Sequence, residues 1–199
     1  MITWALIPVK RFDLGKSRLN EVLSSSELAG MNLKLFSRTL STAKESGVFT
    51  HLMVISEDEQ ALTWAAEQGF FALREEHSGG LNFALHQALR IIQANGAGSV
   101  LIIPTDLPLL TAEDLRLLSG FTPAENGILL VPDHRMTGTN ALFLSQPDLM
   151  PTAFGNNSCA QHCALAEERK LRQVLYLNAH IQRDLDTPED LAYLSDSLN

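Results

Sequence analysis

The sequence predicts a three-layer α/β fold, in which a mostly parallel sheet is covered by helices on both faces. Three observations lead to this expectation. The length of 199 residues suits one domain, taken here as residues 1–199. A hydrophobic content of 45% provides for a sizeable core. Short apolar runs alternate with longer segments of helical periodicity, which is typical of strand–helix–strand units.

Six short apolar runs rich in β-branched residues are expected to form the strands. They are Thr3–Val9, Leu52–Ser56, Ser99–Ile103, Gly127–Val131, Ala141–Ser145 and Gln173–Leu177. Longer segments with helical spacing separate them. These are Ser24–Ser46, Glu59–Gln68, Asn82–Asn95, Ala112–Ser119 and Cys159–Arg169. Glu27 lies three residues after Ser24, so we expect these two residues to form a capping box at the start of the first segment. The last two strand pairs are less regular than the first ones, so we expect a mixed edge.

The composition excludes several classes of protein. A net charge of −8 lacks the basic footprint of a nucleic-acid binder. The longest apolar runs, such as Trp4–Ile7 and Val100–Ile103, are far shorter than the roughly 20 residues that a bilayer span needs. No signal peptide is visible, and 2 cysteines do not make a disulfide scaffold. We therefore expect a soluble, cytoplasmic protein with no nucleic-acid or membrane partner.

A basic loop follows the first predicted strand. Four of the 15 basic residues of this acidic chain fall within nine positions, at Lys10, Arg11, Lys16 and Arg18. Ligands of parallel sheets bind beyond the carboxyl ends of the strands, where this local positive field would hold an anion. Gly15-Lys16-Ser17 imitates a P-loop, but that motif needs a glycine where Lys10 stands. We interpret the loop as a phosphate-binding loop, with a solvated basic turn as the alternative.

Asp106 is the first candidate metal ligand. It follows an apolar strand and lies between Pro104 and Pro108, which restrict the backbone on either side. Mg²⁺ takes few protein carboxylates and fills its other positions with phosphate oxygens and water. Thr111 and its neighbours supply the cap of the next helix, so capping does not explain Asp106.

Asp184 and Asp186 are the second and third candidates. They are two positions apart, so an extended backbone points both side chains to one face. Two adjacent carboxylates repel each other unless a cation lies between them. Thr187, Pro188 and Asp190 are typical of a helix start, at the N-cap, first and third positions. Asp106, Asp184 and Asp186 together are consistent with a three-carboxylate metal site.

Three glycine-containing segments complete the set of candidates. Thr137-Gly138-Thr139 could bind a small anion through hydroxyl and backbone N–H groups, or form only a turn. Phe154–Ser158 precedes a helix, and Ser158 is expected to cap it. Gly79–Asn82 opens another helix, where Gly80 and Asn82 could contact a nucleotide or form only a loop. No zinc site is expected from Cys159 and Cys163, because further ligands at suitable spacing are missing.

These segments, in this order, resemble the guanylyltransferases that make the side-chain precursor of the deazaflavin coenzyme, known as 2-phospho-L-lactate or phosphoenolpyruvate guanylyltransferases. The resemblance spans nearly the whole chain and rests on an ordered set of short stretches. They are Ile7–Lys10, Lys16–Leu19, Gly80–Asn82, Asp106–Pro108, Thr137–Leu142, Phe154–Gly155 with Ser158 and His162, and Asp184–Leu191.

The resemblance implies a nucleotide-diphospho-sugar transferase-like fold, a Mg²⁺-dependent reaction with GTP, and a homodimer. It implies that Lys16, Thr139, Gly155 and Ser158 bind a small phosphorylated carboxylic acid, which is 2-phospho-L-lactate, phosphoenolpyruvate or 3-phospho-D-glycerate. It further implies that Asp106, Asp184 and Asp186 bind the metal.

Other residues enter as catalytic or binding candidates. Lys16 and Asp106 are predicted to be catalytic, Arg18 to contact the substrate, and Lys10, Arg11, Gly80 and Asn82 to contact the nucleotide. Two departures from the family pattern lie beside the acceptor residues. Asn156-Asn157 replaces the usual Pro-Gly or Pro-Asp, and Gln161 replaces a frequent arginine. The alternatives are a related cytidylyltransferase or molybdopterin guanylyltransferase, and a non-catalytic nucleotide-binding protein.

Overall fold

The computed structural model describes residues 2–13, 17–76, 79–96 and 98–197. They form a seven-stranded sheet in the order β3-β2-β1-β4-β6-β5-β7. The strands are β1 (Ile2–Val9), β2 (Phe49–Ser56), β3 (Phe71–Arg74), β4 (Val100–Ile102), β5 (Gly127–Pro132), β6 (Thr139–Leu144) and β7 (Arg172–Leu175). The predicted mostly parallel sheet is confirmed, because β6 alone among these strands runs against its neighbours.

The reversed strand lies inside the sheet and not at the edge where the sequence placed it. β5 and β6 are joined by a short turn and pair antiparallel, and β6 then pairs with β4 on its other side. The hairpin therefore inserts its second strand between β4 and β5, and β7 adds in parallel at the edge. Sequence periodicity identifies strands but carries no information on the order in which they pair.

Helices cover both faces, as predicted. The described residues form a short 3-10 helix (Ser17–Glu21) and six α-helices, namely α1 (Ser25–Ser46), α2 (Glu59–Glu67), α3 (Leu81–Ala94), α4 (Ala112–Ser119), α5 (Ser158–Glu168) and α6 (Pro188–Ser197). Successive residues of the strands alternate between two cores. Ile7 and Leu101 pack with α1, α2 and α4, whereas Leu6 and Ile102 pack with α3 and α5. None of the described helices is long and apolar enough to cross a membrane.

The predicted caps are confirmed for three helices. Ser24 and Glu27 form a capping box at α1, and Thr111 forms one with Asp114 at α4. Thr187 and Asp190 exchange the same pair of bonds at α6. β3 was not predicted, because it is a four-residue edge strand whose side chains are mostly exposed.

The path of the chain creates a crevice between β1 and β4. After β1 the chain builds β2 and β3 on one side, then crosses through α3 to add β4 on the other side. The loops that leave β1 and β4 therefore diverge, which is the topological switch point where open α/β sheets bind ligands. Lys10 follows β1 at this point, and Asp106 follows β4 after three intervening residues outside the strand.

Candidate active site

A cavity of about 610 Å³ opens at the carboxyl ends of β1 to β4. Six predicted site residues line it: Lys10, Arg11, Arg18, Gly80, Asp106 and Asp186. These residues come from the loops after β1 and β4, the 3-10 helix, the start of α3 and the segment before α6. The cavity thus brings basic and acidic candidates together from distant parts of the chain.

The described part of the basic loop is held in place by two side chains from neighbouring helices. The backbone N–H of Phe12 donates to Asp58 Oδ2 at 3.0 Å, and Asn32 Nδ2 donates to the Phe12 carbonyl at 3.0 Å. Asp58 also caps α2 by accepting from the N–H groups of Gln60 and Ala61. Phe12 itself is buried. This described part of the loop, at the mouth of the cavity, is therefore preformed.

Arg11 forms a two-point ion pair with Asp13, a residue that sequence analysis did not single out. Arg11 Nε lies 3.0 Å from Asp13 Oδ1, and the terminal nitrogen lies 2.7 Å from Oδ2. The hydrogen bond from Arg11 lowers the pKa of the Asp13 carboxyl. A phosphate that binds Arg11 must compete with Asp13 for the guanidinium group. Lys10 and Arg18 line the same cavity and are two further basic groups for a phosphate. Lys16 lies outside the described residues.

Asp184 lies close enough to Asp106 and Asp186 for their charges to act on it. The Leu185 N–H donates to the Asp106 carbonyl at 2.9 Å and joins the two loops. Burial raises the pKa of Asp184, and the charges of Asp106 and Asp186 raise it further. Asn140 Nδ2 opposes this by donating to Asp184 Oδ1 at 3.3 Å. The mutual repulsion of carboxylates makes this a region where a cation would be stabilised.

Among the described residues, no three His, Cys, Asp or Glu side chains stand as a ready-made metal cage. Mg²⁺ does not require one, since one or two carboxylates together with substrate phosphates suffice. Asp106 and Asp186 line the cavity, and Asp184 lies where burial together with the charges of both raises its pKa. The donor set therefore fits a Mg²⁺ ion that is held jointly by these carboxylates and by bound phosphates.

The predicted acceptor residues form a second group around His162. Thr139 Oγ1 and His162 Nδ1 are 3.0 Å apart, and the Ala153 N–H donates to His162 Nε2 at 2.9 Å. His162 is fully buried, and burial lowers the pKa of its imidazole to about 4. The side chain thus ties the start of β6 to the segment before α5. Thr139, Gly155 and Ser158 are not among the described lining residues of the large cavity.

The start of α5 differs from the prediction in one respect. Ser158 is not the N-cap but the first helical residue, and it is buried. The N-cap is Asn157, whose φ of 53° is left-handed and whose side chain makes no capping hydrogen bond. Glycine, asparagine and aspartate tolerate this conformation best. Asn157 therefore meets the same backbone requirement as the glycine or aspartate usual in the family.

The two departures from the family pattern are in contact with each other. Gln161 Nε2 donates to the carbonyl of Asn156 at 2.7 Å. Gly155, immediately before Asn156 in the chain, has φ 128°, a conformation that disfavours any side chain. The turn before α5 is therefore shaped by the left-handed backbone of Asn157, the positive φ of Gly155 and the hydrogen bond from Gln161.

Asn82 has a structural task that sequence analysis missed. Its Nδ2 donates to the Phe154 carbonyl and its Oδ1 accepts from the Phe154 N–H, both at 2.8 Å. It contributes to a separate cavity of about 400 Å³ between α3 and residues 147–152. Asn82 therefore fixes the acceptor segment to the start of α3, and its contact with a nucleotide stays a prediction.

Sequence analysis did not single out several residues of the site. Glu57 and Glu75, at the ends of β2 and β3, line the large cavity. Asn140 and His162 act through partners that only the fold brings near them. The signal for Glu57 was present, because it follows a predicted strand in the same way as Asp106 does.

Comparison with known proteins connects this site to a family. A family model described as "Guanylyl transferase CofC like" matches residues 3–195. The chain is 35% identical over 197 residues to the phosphoenolpyruvate guanylyltransferase of Rubrobacter xylanophilus, covering 99% of this chain and 95% of the relative. It is 36% identical over 191 residues to the 2-phospho-L-lactate guanylyltransferase of Methanothermobacter thermautotrophicus, covering 96% and 83%.

Solved structures agree on the fold. A nucleotide-diphospho-sugar transferase-type protein from Desulfovibrio desulfuricans G20 superposes with a TM-score of 0.76 at 14% identity, covering 99% of this chain and 88% of that one. A 4-diphosphocytidyl-2C-methyl-D-erythritol synthase superposes with a TM-score of 0.66 at 16% identity, covering 100% and 98%. The predicted fold type is thereby confirmed. The match over residues 3–195, together with these near-full-length relatives, shows that the chain belongs to the CofC-like guanylyl transferase family.

Proposed function

We propose that this protein transfers GMP from GTP to the phosphate of a small phosphorylated carboxylic acid and releases pyrophosphate, as a step in deazaflavin coenzyme biosynthesis. The observation that carries the proposal is the cavity at the switch point, where the basic loop after β1 faces Asp106 and Asp186. Family membership supports it, because relatives at 35% and 36% identity are named for guanylyl transfer.

The chemistry needs little from a general base. A phosphate monoester is already largely ionised near neutral pH, so its oxygen can act directly as the nucleophile. That oxygen attacks the α-phosphorus of GTP, a new P–O bond forms, and the bond from the α-phosphorus to the pyrophosphate oxygen breaks. Both reactants are polyanions, so the main task of the protein is to offset their repulsion.

The cavity offers groups for this task. Lys10, Arg11 and Arg18 line it and would contact the triphosphate, and Lys16 is proposed to join them. Asp106, Asp184 and Asp186 would hold Mg²⁺. When bound, that ion would neutralise charge on the reacting phosphates and polarise the P–O bonds.

The acceptor is proposed to bind beside the large cavity, against Thr139, Gly155 and Ser158. Asn140 adjoins Thr139 in β6 and donates to Asp184, so this group connects directly to the aspartates. Strand alternation points Thr139 toward α5 and Asn140 toward the aspartates, and the two bonds observed follow this pattern. The acceptor phosphate would therefore meet the α-phosphate at the aspartates.

The acidic end of the cavity suits the base rather than the phosphates. Glu57 and Glu75 line it at the ends of β2 and β3, and burial followed by the charge of Glu57 raises the pKa of Glu75. Phosphates would be repelled there. Guanine presents N1–H and N2–H donors side by side, which match one carboxylate in a two-point contact. We therefore assign base reading to this end.

The direct test is pyrophosphate release, measured with GTP, ATP, CTP and UTP against phosphoenolpyruvate, 2-phospho-L-lactate and 3-phospho-D-glycerate. We expect turnover with GTP and one of these acids, dependence on added Mg²⁺, and loss of turnover in the presence of a chelator. A preference for CTP would favour a cytidylyltransferase. Nucleotide binding without pyrophosphate release from any pair would indicate a non-catalytic protein.

The metal, the assembly and the location form part of the same proposal. The carboxylate cluster supports Mg²⁺, whereas a homodimer rests on the resemblance to the family and a cytoplasmic location rests on the composition of the sequence. Light scattering in solution and fractionation of cells measure these two properties independently of activity.

A further inference from the structure

The protonation state of His162 follows from its hydrogen bonds. The Ala153 N–H is a donor only, so Nε2 of His162 must accept with its lone pair at 2.9 Å. The ring is fully buried, and burial lowers the pKa of the imidazole to about 4. At neutral pH the ring is therefore uncharged, and its proton lies on Nδ1.

This tautomer determines the role of the Thr139 hydroxyl. With its proton on Nδ1, His162 donates to Thr139 Oγ1 across 3.0 Å. A hydroxyl has one hydrogen to donate and can accept through its lone pairs. Among the side chains that the structure describes, His162 is the one hydrogen-bond partner of Thr139 Oγ1. Its hydrogen is thus available to a ligand that accepts.

We infer that His162 is a positioning residue for guanylyl transfer, which directs the Thr139 hydroxyl so that it donates to an anionic oxygen of the phosphorylated acid. The inference rests on the proposed function, since it takes Thr139 to be an acceptor contact. The opposite tautomer would require Thr139 to donate to His162, and Thr139 would then present only lone pairs to an anion. The arrangement therefore favours an acidic acceptor over a neutral one.

The packing around His162 supports a fixed orientation of the ring. The Phe154 ring meets the imidazole edge-on, with centroids 5.0 Å apart and an interplanar angle of 73°. Asn82 holds the backbone of Phe154 through two hydrogen bonds. A ring flip would break both bonds of His162 at once, so the donor toward Thr139 is maintained.

Nitrogen NMR of the histidine side chains tests the tautomer without any assay of activity. The His162 signals of labelled wild-type protein are identified by their loss in the His162→Asn variant. We expect a neutral ring at neutral pH, with Nδ1 protonated and Nε2 unprotonated. A proton on Nε2, in either the neutral or the charged ring, would overturn the inference.

Two variants separate the two hydrogen bonds of His162. The amide nitrogen of Asn can occupy the place of Nδ1 and donate to Thr139, whereas the amide oxygen of Gln can occupy the place of Nε2 and accept from Ala153. Phosphoenolpyruvate binding is measured by calorimetry, and turnover gives KM and kcat. We expect His162→Gln to weaken phosphoenolpyruvate binding on the order of tenfold to a hundredfold, as for a lost bond to a charged group. His162→Asn should lie closer to wild type, and KM for GTP should change in neither.

A double-mutant cycle with Thr139→Val completes the test. If His162 acts through Thr139, adding His162→Gln to Thr139→Val weakens phosphoenolpyruvate binding no further. Additive losses, or equal losses in the Asn and Gln variants, would overturn the inference.

If wild-type protein binds phosphoenolpyruvate but releases no pyrophosphate, the proposed function fails while the cycle still decides the role of His162. If it binds none of the three acids, both fail.

Discussion

At the scale of single residues, the aspartates and the buried histidine illustrate what a sequence can and cannot predict. Asp106 was predicted because it follows an apolar strand and has no capping role, and Asp184 and Asp186 were predicted because they are two positions apart. Asp106 and Asp186 line the large cavity, and burial together with their charges raises the pKa of Asp184. The role of His162 could not be predicted from the sequence, because Ala153 and Thr139 contact it only in the folded chain.

Asp106→Asn is expected to keep the fold and to lower kcat by about a hundredfold or more, since charge stabilisation worth several kcal/mol is lost. Pyrophosphate release measures the rate, and circular dichroism measures the fold. Wild-type turnover by this variant would remove Asp106 from the reaction.

His162 predicts a pH dependence of stability. Its folded-state pKa is about 4, below the ordinary value of 6.5. Between these values the unfolded chain binds more protons than the folded chain, so the free energy of unfolding falls as the pH drops through this window. The full contribution is about 3 kcal/mol. Urea unfolding at pH 7 and pH 4.5 should show a smaller drop for His162→Asn than for wild type. Equal drops in the two proteins would contradict the pKa.

The left-handed backbone at Asn157 predicts that glycine and valine at this position give different free energies of unfolding. Its left-handed backbone favours Gly, and its side chain makes no capping bond that a substitution would remove. Asn157→Gly is therefore expected to leave the free energy of unfolding nearly unchanged, whereas Asn157→Val should cost roughly 1–2 kcal/mol. Chemical denaturation of both variants makes the comparison. A Val variant as stable as the Gly variant would show that this turn can relax.

At the scale of elements, helix starts were predicted well where side-chain caps exist and poorly where the backbone alone makes the turn. Ser24, Thr111 and Thr187 each have an acidic residue three positions later, and all three caps formed. Asn157 has no such partner, so the cap of α5 was placed one residue too late. β3 was not predicted, because a short, exposed edge strand has no periodic apolar pattern.

The cap of α6 connects helix stability to the segment that we propose to bind the metal. Asp190 is buried, and its Oδ2 accepts from the N–H groups of Asp186 and Thr187 at 3.1 and 2.9 Å. Burial opposes ionisation, but the hydrogen bonds from Thr187 and from these amides outweigh it and lower the pKa of Asp190. The position of Asp186 therefore depends on a side chain that does not line the cavity.

Asp190→Ala is expected to cost about 1–3 kcal/mol of stability, because buried donors lose their acceptor. It should also raise the Mg²⁺ concentration needed for half-maximal turnover, since Asp186 is no longer held. Glu189→Ala, at an exposed neighbouring position of the same helix, serves as the control. A Mg²⁺ requirement identical in the two variants would refute the link between the cap and the metal.

At the scale of the whole molecule, the proposed reaction requires an acidic chain to bind two polyanions. The net charge is −8, yet three basic residues, Lys10, Arg11 and Arg18, face one cavity. The alternation of strands and helices predicted the three layers, and the rule for open sheets predicted where to look. The order of the strands could not be predicted, because the insertion of β6 between β4 and β5 is a property of the pairing and leaves no local pattern.

The central claim is that GMP moves from GTP to an acidic phosphate, and the fate of labelled phosphorus tests it most directly. In a reaction of GTP with Mg²⁺ and the acid that gives turnover, the α-phosphorus label should appear in a guanosine diphosphate ester of that acid. A γ-phosphorus label should appear in pyrophosphate. Release of the γ label as orthophosphate, or an α label confined to GMP and GDP, would contradict the account.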